Sequence, residues 1–235
     1  MTITSSAPTA GPLATVTFDL YRDIHKAIRA ELFAVTLEAG RLDPTDLAGR
    51  VALEAQVADV VDLLVSHAEH EDGAIQPVLE VHLPDLAAGI ETDHEVLEAR
   101  MVTLREMAGV ARDASKLDAR TRIHQLYVEL ASFTSAYLAH QDVEERVVMP
   151  AVEQAVGVEA VIGIHGAVIG AIPPAELMRS LALMFPAMNV DDRVELLGGM
   201  RADAPAEAFA ATVSLLRSVL DPTDAATVTA RLGLS

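Results

Sequence analysis

Two segments of the chain carry a histidine and a glutamate four residues apart. HAEHE places Glu71 four residues after His67, and HQDVE places Glu144 four residues after His140. In an α-helix, residues at this spacing are separated by about 40° around the axis and share one face. A proline follows each pair within a few residues, so the sequence indicates a duplicated helix that carries a polar site.

Two further histidines, His25 and His94, occur in other predicted helices. If consecutive helices run antiparallel, residues at the same height are equidistant from the turn between them. The midpoints between successive members of the series His25, His67, His94 and His140 fall at about residues 46, 81 and 117, each beside a predicted chain break. One histidine per helix can therefore lie in a single layer, with a glutamate added by two of the helices.

This layer has two interpretations. A single histidine on an apolar helix is most often a hydrogen-bonded core residue, and a glutamate four residues away is often an ordinary surface neighbour. Four histidines and two carboxylates in one apolar core are costly to bury unless something neutralises them. Imidazole and carboxylate ligands suit iron or manganese. The combination therefore predicts a metal site.

Helical periodicity extends along the whole chain, and strand signals are nearly absent, which predicts an all-α protein. The predicted long helices run from near Phe18, after Thr17 as a cap, to before Gly40; from Asp43-Pro44, with Asp43 as N-cap, to about Asp72; from Pro84-Asp85 to about Gly109; and from about Lys116 to Met149, ahead of Pro150. Their length and short connections favour an antiparallel up-down four-helix bundle.

The predicted domains are a flexible N-terminal tail over residues 1–14, the bundle over 15–157, and a C-terminal helical extension over 158–235. Prolines and paired glycines divide the extension into short helices. Apolar stripes between Asp191 and Leu220 must be buried, either against the outer face of the bundle or against the same segment of a second chain. The second alternative predicts a homodimer.

Composition excludes several classes of function. The formal net charge is −18, with 17 Lys and Arg against 35 Asp and Glu, which argues against nucleic acid as a partner. The chain has no cysteine, so thiolate metal sites and disulfides are excluded. The longest apolar run, from Val161 to Ile172, is too short to span a bilayer, and the N-terminus has no signal-peptide pattern. We expect a cytoplasmic protein with no membrane partner.

The order of His25, HAEHE, the Asp-His-Glu around His94 and HQDVEERVVMP resembles a hemerythrin-like domain of the HHE cation-binding family, over about residues 15 to 155. The resemblance implies a non-haem centre of two iron ions joined by an oxo or hydroxo bridge. It also implies the ligands: His25, His67, His94 and His140 as terminal ligands, and Glu71 and Glu144 as bridges.

The sequence departs from the oxygen-carrying hemerythrins at two positions. Those proteins have a second histidine in the third helix where this chain has Glu98, and their last carboxylate is an aspartate five residues after the histidine. Here the position five after His140 is Glu145, about 140° around the helix, which leaves Glu144 as the better ligand. Two histidines, two carboxylates and one solvent bridge leave each iron an open position, which favours reaction with small oxidants over reversible oxygen carriage.

Other polar residues have weaker predicted roles. His70, one turn from His67, is an alternative ligand, and Glu98 is expected to orient the imidazole of His94. Tyr21 and Tyr137 each precede a predicted ligand by one turn and either border the centre or pack in the core. The remaining histidines, His82, His124 and His165, are predicted to lie outside the site.

These features leave three functions open. The first is redox chemistry with hydrogen peroxide, dioxygen or nitric oxide, of which catalase-like turnover of peroxide is the most concrete form. The second is a binding or sensing module, in which occupancy of the centre changes the packing of residues 158–235. Iron storage is a weaker third alternative, because nothing in the sequence suggests a shell-forming surface or two ferroxidase-type E-x-x-H motifs.

Overall fold

A computed structural model describes residues 13–234, and within that range all regular secondary structure is helical, as predicted. Residues 1–12 of the predicted N-terminal tail lie outside the described part. The helices are α1 (Arg22–Arg41), α2 (Leu47–Ala74), α3 (Gln76–His82), α4 (Pro84–Asp113), α5 (Ala119–Val143), α6 (Met149–Val156), α7 (Val158–Ala171), α8 (Pro174–Ala187), α9 (Val190–Asp203), α10 (Ala206–Val219) and α11 (Pro222–Arg231). A π-helical turn, Glu144–Val148, joins α5 to α6.

The four long helices pack around a common apolar core. Helix α1 contacts α2 and α5, and α4 contacts the same two helices, so the four helices form a closed ring. Each helix contributes a fully or almost fully buried leucine: Leu32, Leu64, Leu104 and Leu130. Burial of one such side chain contributes about 1.5–3 kcal/mol, so this core is a principal stabilising feature of the ring.

Two predicted helix starts are wrong. Helix α2 begins after Asp46, whose side chain accepts a hydrogen bond from the Gly49 amide, whereas the predicted cap Asp43 accepts one from Thr45 and closes the preceding turn. Helix α1 begins at Arg22, not near Phe18. The predicted cap Thr17 instead donates its amide to the Glu153 carboxylate at 2.8 Å. In both cases a carboxylate closer to the observed start, Asp46 for α2 and Asp19 for α1, accepts backbone amides there.

The helical path does not end ahead of Pro150, contrary to the prediction. It continues through the π-helical turn, in which the Met149 amide donates to the Glu144 carbonyl, and then through α6. Pro150 lies in the first turn of α6. Proline is tolerated there because its missing N–H has no role in the helix, and the wider π turn absorbs an additional residue.

The C-terminal helices form a separate apolar cluster of their own. Phe185 of α8, Leu197 of α9, Leu216 of α10 and Val228 of α11 are fully buried together. The apolar stripes therefore need neither of the predicted surfaces to cover them, because they bury one another. Helical periodicity shows that a stripe must be buried but does not specify what it packs against. Helix α7 packs on α2 and α6, and α8 packs on α1. The domain boundary at residue 157 and the homodimer stay predictions.

Among the described residues, no single helix is both long and apolar enough to cross a membrane. One pair of helical stretches, Ala119–Val156 and Val158–Ala171, together has the length and composition of a membrane span, but the chain bends by 115° between them.

Candidate metal centre

The six residues predicted as metal ligands meet in one polar layer between two apolar clusters. One cluster is the core of the four long helices, with Tyr137 as a member. The other contains Tyr21, Leu79 and Val161 and lies toward α3, α6 and α7. All six polar side chains are buried, His25 completely and Glu144 to 99%. Both sides of the layer are thus shielded from water by apolar side chains.

The first half of the layer contains His25, His67, Glu71 and Glu144. The Nε2 atoms of His25 and His67 lie 3.3 Å apart. His67 Nε2 is 3.1 Å from Glu71 Oε1, and His25 Nε2 is 3.4 Å from Glu144 Oε2. One ligand atom from each of the four residues lies within 4.8 Å of the others, so the four can surround one ion.

The second half contains His94 and His140 with the same two glutamates. His140 Nε2 is 3.0 Å from Glu144 Oε1, and His94 Nε2 is 3.5 Å from Glu71 Oε2. Each glutamate therefore directs one oxygen to each half of the layer. Two adjacent ion sites with two shared carboxylates are the arrangement that these contacts allow.

Buried atoms without hydrogen bonds test whether cations fit the layer. Within the described part of the chain, four atoms at its centre have no hydrogen-bond partner: both oxygens of Glu71, Oε2 of Glu144 and Nε2 of His94. Unpaired buried carboxylates cost several kcal/mol, so the layer needs positive charge to be stable. A donor set of nitrogen and oxygen atoms without sulfur suits iron or manganese, and the residues fit such ions.

The pKa values of the layer also indicate that it needs positive charge. Burial, together with the charge of Glu144, raises the pKa of Glu71 well above its usual value. Burial acts the same way on Glu144, but the hydrogen bond and charge of His140 outweigh it and lower the pKa of Glu144 to about 2. Burial and the neighbouring His25 lower the pKa of His67 to about 3. His67 is therefore a neutral imidazole, the form that binds metals.

Glu145 orients His25, a role that the sequence did not predict. Its Oε1 lies 2.9 Å from His25 Nδ1, on the side of the ring opposite the layer. Arg29 donates two hydrogen bonds to the same carboxylate, at 2.7 and 3.0 Å. In a regular helix Glu144 and Glu145 diverge by about 100°, but here the π turn lets both face α1. A bound carboxylate at Nδ1 fixes the ring and leaves Nε2 for a metal.

Asp72 has the corresponding role at His94. Its Oδ1 lies 2.9 Å from His94 Nδ1. The sequence assigned this role to Glu98, which instead lines a surface pocket beside His94. Asp72 follows Glu71 directly and contacts the neighbouring helix, so a prediction that considered only the helix of His94 could not find it.

The other predicted residues lie around the layer. Tyr21 stacks on His25 with ring centroids 5.0 Å apart, and Tyr137 meets His140 edge-on at 5.8 Å. His70 is in neither half of the layer, and its Nε2 faces Glu176 at 3.8 Å. His124 is exposed, and His165 packs against Phe18.

The family model of the hemerythrin HHE cation binding domain matches residues 16–152, more than half of the chain. The chain belongs to the hemerythrin HHE cation-binding family. Comparisons with curated proteins and with solved structures gave no match. The HHE match includes all six residues of the layer, and cation binding by the family agrees with their chemistry and their unpaired buried atoms.

Proposed function

We propose that this HHE protein holds two iron ions in the layer and uses them to react with small oxidants, with catalase-like turnover of hydrogen peroxide as the main activity. One observation carries the proposal: Glu71 and Glu144 each direct one oxygen to each pair of histidines. The first pair is His25 and His67, and the second is His94 and His140.

Bound iron would supply Lewis acidity and an electron reservoir in this position. The chain's own contribution is to hold and shield the ions. Glu145 and Asp72 fix the rings of His25 and His94 through their Nδ1 atoms. The apolar clusters on both sides restrict access to small molecules, which favours peroxide, dioxygen or nitric oxide over larger substrates.

Two tyrosines face the layer from opposite sides and remain protonated. Burial, with the charge of Glu71 next, raises the pKa of both Tyr21 and Tyr137. A protonated phenol beside a ligand can donate a hydrogen bond to an incoming oxidant or donate an electron. Core packing is the competing role for each ring.

An antiparallel up-down arrangement of the four long helices is part of the proposal. Contacts between α2 and α4 support it, because residue numbers rise along one helix as they fall along the other. Contacts of α1 with α5 and with the π-helical turn that continues it follow the same trend. The supporting contacts are Glu54 with Arg112, Asp62 with Arg105 and Asp72 with His94 for the first pair of helices, and Arg29 with Glu145 and Thr36 with Thr134 for the second.

A sensing function is the second candidate, and the C-terminal helices favour it. Asp192 of α9 contacts Lys26, the residue after His25, and Glu176 of α8 contacts Ser66, the residue before His67. A change in the position of either histidine would therefore reach these helices directly. In a sensor, occupancy would alter this packing once per binding event, without turnover.

Turnover separates the two candidates. The full chain is loaded with iron, and peroxide consumption and oxygen release are followed over many equivalents. A catalase-like protein consumes many equivalents per centre and releases half an equivalent of oxygen for each, whereas Glu144→Gln does not. Consumption that stops after about one equivalent per centre contradicts the enzyme proposal and favours the sensor.

A further inference from the structure

An acidic pocket opens on the surface beside His94. It has a volume of about 340 Å³ and is lined by α2, α3 and α4. The lining residues are Asp72, Gln76, Glu80, Glu91, His94, Glu95 and Glu98. Five of these seven side chains are carboxylates, and no arginine or lysine is among the described residues of the lining. The pocket therefore has a strongly negative potential.

His94 joins this pocket to the metal centre. It is the buried member of the lining, only 6% exposed, whereas Glu91, Glu95 and Glu98 are exposed. Its Nε2 has no hydrogen-bond partner in the described part of the chain and lies 3.5 Å from Glu71 Oε2. The imidazole ring of His94 thus borders the pocket, while its unpaired Nε2 lies in the metal centre.

The flank of the centre around His25 and His67 is closed by the C-terminal helices. Lys26 and Arg22 of α1 contact Asp192 of α9, and Ser66 of α2 contacts Glu176 of α8. On this flank Arg22 and Lys26 form ion pairs with the carboxylates beside them, whereas no arginine or lysine is among the described residues that line the pocket. The two flanks therefore differ in both access and charge.

We propose that the acidic pocket is the entrance through which a divalent metal cation, such as Fe²⁺, reaches the centre. This inference rests on the metal centre proposed above. A concave surface of one charge raises the local concentration of counter-ions and increases association rates roughly 10- to 1,000-fold. With about 30 Å³ for each water, an ion with six waters needs about 200 Å³, so a hydrated cation fits inside the pocket.

Asp72 occupies the position where the entrance meets the centre. It lines the pocket, and its Oδ1 is bonded to His94 Nδ1. The carboxylates of Glu91, Glu95 and Glu98 lie farther out, on the exposed surface of α4. These three residues attract the cation but are not among the six residues of the layer, so they can be changed without altering the ligands.

The test measures how fast the metal-depleted full chain binds Co²⁺, an ion that absorbs visible light when histidine and carboxylate bind it. The test variant combines Glu91→Gln, Glu95→Gln and Glu98→Gln. A matched control combines Glu106→Gln, Asp203→Asn and Glu207→Gln, three exposed acidic residues away from the pocket. Both variants change the net charge by the same amount, so a general charge effect cancels.

At an ionic strength of about 10 mM, the test variant should bind Co²⁺ roughly 5- to 20-fold more slowly than the parent, with the control within about twofold of the parent. The final metal content should be equal in all three chains. In about 0.5 M salt the difference should shrink to less than about twofold, because exposed charges are then screened. Glu95→Lys alone should also slow binding at low salt.

Equal rates in the parent and the test variant at low salt would overturn the entrance proposal, and so would an equal slowing in the control. Both results leave the metal centre intact as long as each chain still binds its full metal content. A parent chain that binds no Co²⁺ and no Fe²⁺ would instead overturn the proposed function, and the entrance with it.

Discussion

The Nδ1 atom of His25 lies 2.9 Å from Oε1 of Glu145, and Glu145 is held in turn by Arg29. This chain of contacts connects a buried histidine of α1 to the π-helical turn after α5. It fixes the plane of the ring and favours the tautomer in which Nδ1 carries the proton and an unprotonated Nε2 faces the polar layer.

Replacing Glu145 should therefore weaken metal binding without removing a ligand. We expect Glu145→Gln to lower iron affinity roughly 10- to 100-fold while the iron content at saturation stays that of the parent. Competition with a chelator measures the affinity. Asp142→Asn is the control, since Asp142 contacts Arg146 on the same segment and not a histidine. Parent affinity in Glu145→Gln would contradict the orienting role.

Loss of a ligand should lower metal content and stability together. His140→Ala removes an imidazole from a layer whose other polar atoms stay buried, so both the iron content and the thermal midpoint should fall, by several degrees for each kcal/mol lost. His124→Ala and His165→Ala should keep the parent iron content. A loss of iron in either control would show that the layer includes residues other than those assigned to it.

Metal removal should reverse the effect of a substitution at Glu71. In the loaded chain Glu71→Gln is destabilising, because a shared ligand is lost. In the metal-depleted chain it should stabilise by about 1–3 kcal/mol, because an unpaired buried carboxylate is replaced by a neutral amide. Denaturant unfolding with and without iron measures the change in the free energy of unfolding in both states. Destabilisation in the depleted chain would mean that Glu71 has a favourable partner of its own.

The increase in the free energy of unfolding that Glu71→Gln causes in the metal-depleted chain should also depend on pH. Burial raises the folded-state pKa of Glu71 above its usual 4.5, so the folded chain binds more protons there than the unfolded chain. The contribution of Glu71 to stability is thus fully present below about pH 4.5 and is lost as the pH rises through the folded-state pKa. The difference between variant and parent should widen over this range, and a constant difference would contradict the shift.

Much of the polar layer could be predicted from local sequence. The four-residue spacing within the two His–Glu pairs fixes a shared helix face, and the positions of the turns fix the heights of the four histidines. Both signals depend on helical geometry and on chain breaks such as Pro84 and Ser115, which are encoded locally.

The contacts around the layer could not be predicted in this way. Glu145 reaches His25 only because the helix widens into a π turn, and Asp72 reaches His94 from a different helix. The C-terminal stripes specify that apolar faces must be covered but not which face covers them, so their mutual packing was missed. In each case the deciding partner lies on another helical element, and the periodicity of a single helix does not specify which element that is.

Removal of the C-terminal helices tests their shielding role. A chain ending at Gly157 loses Val161 from the apolar cluster that contains Tyr21, and it loses the contacts beside His25 and His67. We expect it to bind iron but to react faster with peroxide and azide, at a lower thermal midpoint. Stopped-flow absorbance measures the rates. A folded chain that cannot bind iron would mean that ligands lie beyond residue 157.

The most direct test of the central claim is an anaerobic Fe²⁺ titration with equilibrium dialysis. Two ions that share Glu71 and Glu144 predict binding of about two irons per parent chain, about one in His67→Ala, and well below one in Glu144→Gln. The glutamate variant should lose more metal than the histidine variant because its carboxylate serves both halves of the layer. Binding of a single iron by the parent, or of two by Glu144→Gln, would contradict the shared centre.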